Sequence, residues 1–464
     1  MAELRNQKAT EGIRTHDLAF TKRLLCQLSY GGAGKIIPAP FEIVQGLIMI
    51  NVAMLSYHTC PLATLGGKDT GGMNVYVREL TRRLGQLGVH VDVFTRSQDE
   101  HVPHVLHDLG YGNRVVHIPA GPEVPLPKPE LANHLPQFVD GIEKFSAEKG
   151  IRYDLIHSHY WMSGIAGLQL KTRWNLPILH MFHTLVLMKN RVARTPQEVE
   201  GGYRIDGEQT ILRSADRIIA ATPAELAQLQ FLYRADSNKI TVIPPGVDTS
   251  HFYPIPADEA RTAIGIQPHD RMILFVGRIE PLKGIETLIR AIALLYKDRI
   301  ISGCPHYLAI VGGDPNLTPE MENTEMARLM ALCRELGVDD LVLFLGKRAQ
   351  DTLPYYYSAA EVVVMPAHYE SFGMVALEAM ACGTPVIASQ VGGLAFLVQD
   401  GITGYSIPDD NPQALADKLS LLVCDPGLRN QLGQQAADYA RQYDWEIIVQ
   451  RITNLYQELL AVRI

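Results

Sequence analysis

No uninterrupted run of 18 apolar residues occurs in the chain, so a span long enough to cross a bilayer is missing. Cysteine is sparse. Cys26, Cys60, Cys304, Cys333, Cys382 and Cys424 are scattered and form no CxxC pair, which excludes a zinc ribbon or a small disulfide framework. That usage fits a reducing, cytoplasmic compartment. Positive charge is also in deficit, with 42 Lys and Arg against 50 Asp and Glu, a formal net of −8. A chain of that balance lacks the basic field that non-specific nucleic-acid binding needs. There is no HExxH and no tight Asp/His cluster to suggest a metal, and no GxSxG elbow of a hydrolase triad. What is present is an ordinary globular composition, 47% hydrophobic and 20% charged over 464 residues. At roughly 150 residues per domain, this predicts two or three domains.

Residues 1–48 show neither helical nor strand periodicity, and they lack the clean apolar core of a secretory leader. We expect a disordered extension there, or a mis-assigned start with Met49 as the true one. Regular patterning begins at Met49. Short apolar runs such as NVAMLSY (51–57), HVDVFT (90–95), YDLIHS (153–158), RMILFVG (271–277) and EVVVMP (361–366) alternate with amphipathic stretches. Nearly continuous Val/Ile-rich runs suit parallel strands buried on both faces. Two blocks of βα units predict an α/β protein of two facing Rossmann-like domains, 49–246 and 247–443. The boundary is expected at the proline-rich stretch 243–256. Residues 444–464 are expected to form a helix that crosses back to the N-terminal domain.

In open α/β sheets, ligands bind beyond the carboxyl ends of the strands. The first such loop ends in Gly71–Gly72 before a helix, where a backbone can approach an anion closely. Taken alone, the pair reads equally well as a plain turn. It is not a dinucleotide fingerprint, because a long loop separates it from the strand. Arg278 and Lys283 in GRIEPLKG (277–284) could neutralise a diphosphate, or could be solvated cations. In HYESFGMVALEAM (368–380), a helix starting near Ser371 would put Glu370 at its mouth and Glu378 two turns in. The N–H groups of Phe372, Gly373 and Met374 would then face an anion or sugar hydroxyls. His183 and Thr184 end a strand; a lone histidine there is more often structural than catalytic.

In GGMN (71–74), GRIEPLKG (277–284) and the E-x7-E pair Glu370…Glu378, the chain resembles the retaining glycosyltransferases of family 4, with the GT-B fold. The resemblance runs in order through residues 49–464. Through HTCPLATLGGKDTGGMNVYV, YDLIHSHYWMSG and IPPGVD, it is similar in particular to the D-inositol 3-phosphate glycosyltransferase branch of mycothiol biosynthesis. That branch moves N-acetylglucosamine from a UDP-sugar to 1-L-myo-inositol 1-phosphate, and the family includes homodimers.

The resemblance implies a UDP-sugar co-substrate and no metal or other cofactor. It implies diphosphate contacts at Arg278 and Lys283, ribose at Glu378, uracil at Arg348, and sugar hydroxyls at Glu370, Ser371 and the 372–374 backbone. Gly72 would admit the phosphates, His183 would touch the donor sugar, and Asn74 would face the acceptor. The acceptor phosphate would lie among Lys128, Tyr160, Thr184 and Arg204. The segments after Thr184 and around Arg348 depart from the branch, so sucrose-phosphate synthase-like transfer of glucose to fructose 6-phosphate is an alternative. A catalytically silent sugar-nucleotide binding protein is another.

Overall fold

The computed structural model describes residues 50–64, 70–193, 199–297, 306–313 and 324–461. The proposed extension 1–48 lies outside the described residues. Residues Met49–Ile464 cluster as one compact unit, within which two sheets stand out.

The first sheet has eight strands: β1 Asn51–Leu55, β2 His90–Arg96, β3 Val105–Leu106, β4 Arg114–Ile118, β5 Leu155–His159, β6 Ile178–Met181, β7 Arg217–Ala220 and β8 Ile240–Val242. Their order is β3-β4-β2-β1-β5-β6-β7-β8, parallel except for the β3–β4 pair. The second sheet has six: β9 Arg271–Val276, β10 His306–Val311, β11 Val342–Gly346, β12 Ala360–Met365, β13 Val386–Ser389 and β14 Gly404–Ile407. Their order is β11-β10-β9-β12-β13-β14, and the paired strands are parallel. Central strands are sealed on both faces: Val52, Ala53, Met54 and Leu55 are fully buried, as are Val362, Val363 and Val364. That is why they read as unbroken apolar runs rather than alternating ones.

In each sheet the chain grows outward in both directions from a central pair, β1 beside β5 and β9 beside β12. The loops leaving those four strands therefore diverge and open a crevice, the usual ligand position in a doubly wound sheet. Helix Trp445–Ala461 packs on helix Gly72–Gln86 of the first half. Trp445 is 1% exposed, its ring centroid 5.5 Å from that of Tyr76. A Cβ at Gly246 would meet the Trp445 ring at 2.6 Å, so glycine is required for the chain to pass this indole as it leaves the first sheet.

One helix begins later than its sequence suggests. The helix carrying Glu378 spans Met374–Ala381, not a span from Ser371. Its N-cap, Gly373, has φ +107°, and a Cβ there would strike Leu394 at 2.6 Å. Ser371 and Phe372 thus precede the helix, and Gly373 is the left-handed residue that feeds it. Glu378 lies a little over one turn in.

Candidate functional site

The loops after β1, β5, β6, β9 and β12 enclose a cleft of about 670 Å³, within the size range of small-molecule sites. All the candidate side chains line it: Gly72, Asn74, Lys128, Tyr160, His183, Thr184, Arg204, Arg278, Lys283, Arg348, Glu370, Ser371, Phe372, Gly373, Met374 and Glu378. Lys189, Glu200, Glu280 and Lys347 join them. Among the described residues the lining holds seven cations against four carboxylates, so an acidic chain presents a net positive cleft that suits an anionic ligand.

One wall comes from the second sheet. Gly284, at φ +64°, passes so close to the Pro366 carbonyl that a Cβ would lie 1.9 Å from its oxygen. That contact draws the β9 and β12 loops together and brings Lys283 Nζ to 2.6 Å from Glu370 Oε2. Burial pushes the Glu370 carboxyl up, but Lys283, the Phe372 N–H and Arg278 outweigh it and hold the group below its ordinary range. The Phe372 N–H is therefore turned to Glu370 rather than offered to a ligand. Arg278 Nη1 lies 2.6 Å from Glu280. Glu378 is buried and accepts from the Tyr357 hydroxyl at 2.7 Å; burial raises its pKa to about 7, with Tyr357 and Arg78 opposing. Arg348 Nε donates to the Tyr356 hydroxyl at 2.7 Å.

The facing wall comes from the first sheet. Tyr160, at φ +73°, follows β5 and lies beneath two cations: Arg204 Cζ is 4.9 Å and Lys128 Nζ 5.8 Å from its ring centroid. The His58 ring is tilted against the same phenol at 4.3 Å. Burial lifts the Tyr160 hydroxyl to about 12, against the opposing charge of Arg204, so it stays protonated. Arg204 is only 1% exposed and each of its guanidinium nitrogens makes a hydrogen bond, yet Nη1 has one partner for its two N–H groups and the residue lines the cleft. Nε meets Glu208 at 2.9 Å, Nη1 meets Glu200 at 2.7 Å, and Nη2 donates to the Thr184 carbonyl and hydroxyl at 3.0 Å. Glu200 also receives Lys189 Nζ at 2.5 Å.

Asn74 stands apart from its expected role. Its amide donates to Thr59 Oγ1 at 2.8 Å and the Cys60 carbonyl at 2.7 Å, while its oxygen accepts from the Gly71 N–H at 2.9 Å. It fastens the β1 loop to the helix start instead of reaching an acceptor.

Residues 70–251 match the model for Glycosyltransferase Family 4, and residues 256–439 match that for glycosyl transferases group 1. The chain belongs to the family 4 glycosyltransferases. It is 41% identical over 414 residues to a D-inositol 3-phosphate glycosyltransferase from Acidothermus cellulolyticus, covering 89% of this chain and 91% of that one. A second protein of that name, from Actinosynnema mirum, is 41% identical over 413 residues, covering 88% and 97%. Among solved structures, a sucrose-phosphate synthase from Thermosynechococcus elongatus superposes with a TM-score of 0.81 at 37% identity, covering 89% of this chain and all of that one. Anabaena HepE in complex with UDP and glucose shares the GT-B fold, with a TM-score of 0.68 at 20% identity over 88% of this chain.

Some residues in the cleft wall of this glycosyltransferase, or buried directly behind it, were not singled out from the sequence. Glu208 and Glu200 lie four residues either side of Arg204, and that i,i+4 spacing was the available signal. Lys189 carried no local signal, since it reaches Glu200 only through the fold. His159, buried behind the lining, is the fourth, and its signal was the His-x-His alternation at the end of β5, which puts His157 and His159 on one face.

Proposed function

We propose that this glycosyltransferase is a retaining enzyme that moves N-acetylglucosamine from UDP-N-acetylglucosamine to a phosphorylated acceptor. The preferred acceptor is 1-L-myo-inositol 1-phosphate, which is D-inositol 3-phosphate numbered in the other sense. One observation carries the reading: Lys128, Tyr160, Thr184 and Arg204 converge on one wall of the cleft that Arg278 and Lys283 line on the other. Two separate cationic groups suit two phosphate-bearing substrates. The relatives named for D-inositol 3-phosphate favour inositol. The 37% identical sucrose-phosphate synthase favours fructose 6-phosphate, which the same cage would accept.

In this mechanism, positive charge grows on the anomeric carbon as the diphosphate leaves. Arg278 and Lys283 stabilise the departing charge without a metal. The cleft carboxylates are already committed, Glu200 to Lys189 and Arg204, Glu280 to Arg278, Glu370 to Lys283, and Glu378 to Tyr357. That favours a front-face route in which the leaving phosphate takes the acceptor proton, over a covalent intermediate on one of these side chains. Gly72 admits the donor, Arg348 lies by the base and Glu378 holds the ribose. Glu370, Ser371 and the backbone of Gly373 and Met374 read the sugar, and Asn74 positions the Gly71–Gly72 turn. Such an enzyme works in the cytoplasm, as a homodimer. Trapping a glycosyl adduct on any side chain would overturn the front-face route. UDP release measured over a matrix of donors and acceptors tests the substrates.

A further inference from the structure

His183 lines the cleft in a left-handed backbone conformation, φ +61°, that a histidine rarely adopts. Surrounding structure must hold it there, and strained positions of this kind gather at functional sites. Its Nε2 lies 3.0 Å from Nδ1 of His159, the last residue of β5. The pair can share its proton in two ways. His159 can donate from Nδ1 to His183 Nε2, or His183 can donate from Nε2 to His159 Nδ1.

The remaining nitrogens distinguish the two. His159 is fully buried, and among the described residues its Nε2 has no partner. In the second arrangement that Nε2 would carry a proton, leaving a buried N–H without an acceptor, which is rarer and costlier than a buried lone pair left idle. The first arrangement avoids it. His159 Nδ1–H then donates to His183 Nε2, and the proton of His183, a residue of the cleft lining, moves to Nδ1, its remaining ring nitrogen.

We propose that His159 is a positioning residue that fixes His183 as the neutral Nδ1–H tautomer, a hydrogen-bond donor aimed into the cleft at an oxygen of the bound sugar. His183 then acts as a donor and not as a base. Further groups support the geometry. The titratable groups facing His159 are the imidazoles of His157, His180 and His183, with Tyr76 edge-on. Burial holds His183 down to about 3 and His159 well below the ordinary range, so both stay neutral at neutral pH. The edge of Tyr76 also meets the His183 ring, at 5.2 Å. Behind His159, the His157 ring lies 4.3 Å away, and its Nδ1 is tied at 2.7 Å to the Tyr456 hydroxyl on helix Trp445–Ala461.

The sugar as the target rests on the function proposed above, but the tautomer does not, and the test separates them. The full chain is produced with 15N-labelled histidine, and the His183 ring signals are assigned by their loss in His183→Asn. The expected result is a pyrrole-type shift at Nδ1 and a pyridine-type shift at Nε2. The reverse pattern, or a protonated ring at pH 7, overturns the proposal. Activity gives the second reading. His159→Asn, whose amide N–H stands near the imidazole Nδ1–H, should keep kcat within roughly threefold. His159→Leu, which cannot donate, should lower kcat by roughly tenfold or more, with donor KM little changed. Equal loss in both variants would mean that His159 only fills space. Absence of turnover with any acceptor would sink the substrate reading while leaving the tautomer result standing.

Discussion

Replacing Arg204 with alanine should cost stability and acceptor binding together, through two different partners. Arg204 and Glu208 are 1% and 0% exposed, and their atoms meet at 2.9 Å. Without the guanidinium, Glu208 keeps the Val186 N–H and the Tyr233 hydroxyl but loses its counter-ion. A buried carboxylate stranded this way costs about 3–5 kcal/mol. Burial already holds the Glu208 carboxyl above its ordinary range despite Arg204, and removing the cation raises it further. A carboxyl raised on folding binds more protons folded than unfolded, so its penalty is full at high pH and fades as pH falls toward the unfolded value. The loss should therefore be smaller at pH 5 than at pH 8. Urea unfolding of Arg204→Ala and Arg204→Ala/Glu208→Gln at both pH values measures it. The second variant removes the stranded charge and should recover about 1–3 kcal/mol. On the cleft side, losing a charge-assisted contact to the acceptor phosphate should raise acceptor KM by roughly 10–100-fold, with donor KM unchanged. A stability loss under about 1 kcal/mol, equal at the two pH values, would refute the buried-pair argument. Unchanged acceptor KM would remove Arg204 from the acceptor site.

Further outcomes follow from the same geometry. Glu225 is buried and raised to about 7 by burial, against the Ala221 N–H. Its folded carboxyl binds a proton more readily than the unfolded one, so stability should fall as pH rises from about 4.5 through 7, by at most roughly 3 kcal/mol from this group. Glu225→Gln should flatten that slope in thermal unfolding scans, and an unchanged slope would contradict the assignment. Lys283→Ala removes both the diphosphate cation and the partner of Glu370, and should lower kcat by about 100-fold or more in UDP-release assays; a loss confined to KM would place Lys283 in ground-state binding alone. Trp445→Ala empties the space between Gly246 and Tyr76 and should cost about 3–5 kcal/mol by urea unfolding, whereas a loss below 1 kcal/mol would mean that the C-terminal helix is held elsewhere.

The sheets were legible because parallel strands sealed on both faces leave continuous apolar runs. Each run in the sequence falls on a strand of one of the two sheets. The strand without a run is β3, Val105–Leu106, a two-residue antiparallel edge too short to carry a pattern. The cleft lining was legible too, since its residues leave the carboxyl ends of strands, where the fold gathers ligand groups. Less legible was what each side chain does once there. Asn74 spends its amide on the β1 loop, 14 and 15 residues back, a contact that sequence spacing does not announce, while the Phe372 N–H turns to Glu370 two residues before it, in a local turn that replaces the helix start expected at Ser371. The late start of the Glu378 helix follows from the left-handed Gly373, whose neighbour Leu394 is distant in sequence. Glu208 and Glu200 are local to Arg204, yet their meaning as its counter-ions emerges only when Arg204, on helix Gly202–Ser214, is buried.

The central claim is transfer from a UDP-sugar to a phosphorylated acceptor held by the Arg204 cage. UDP release by the purified chain, with UDP-N-acetylglucosamine or UDP-glucose against inositol 1-phosphate, fructose 6-phosphate, free inositol and free fructose, tests it most directly. The account predicts turnover with UDP-N-acetylglucosamine and inositol phosphate, none with free inositol, and loss of that turnover in Arg204→Ala. Turnover with UDP-glucose and fructose 6-phosphate would keep the cage and replace the inositol assignment. Turnover with an unphosphorylated acceptor, undiminished in Arg204→Ala, would contradict the account.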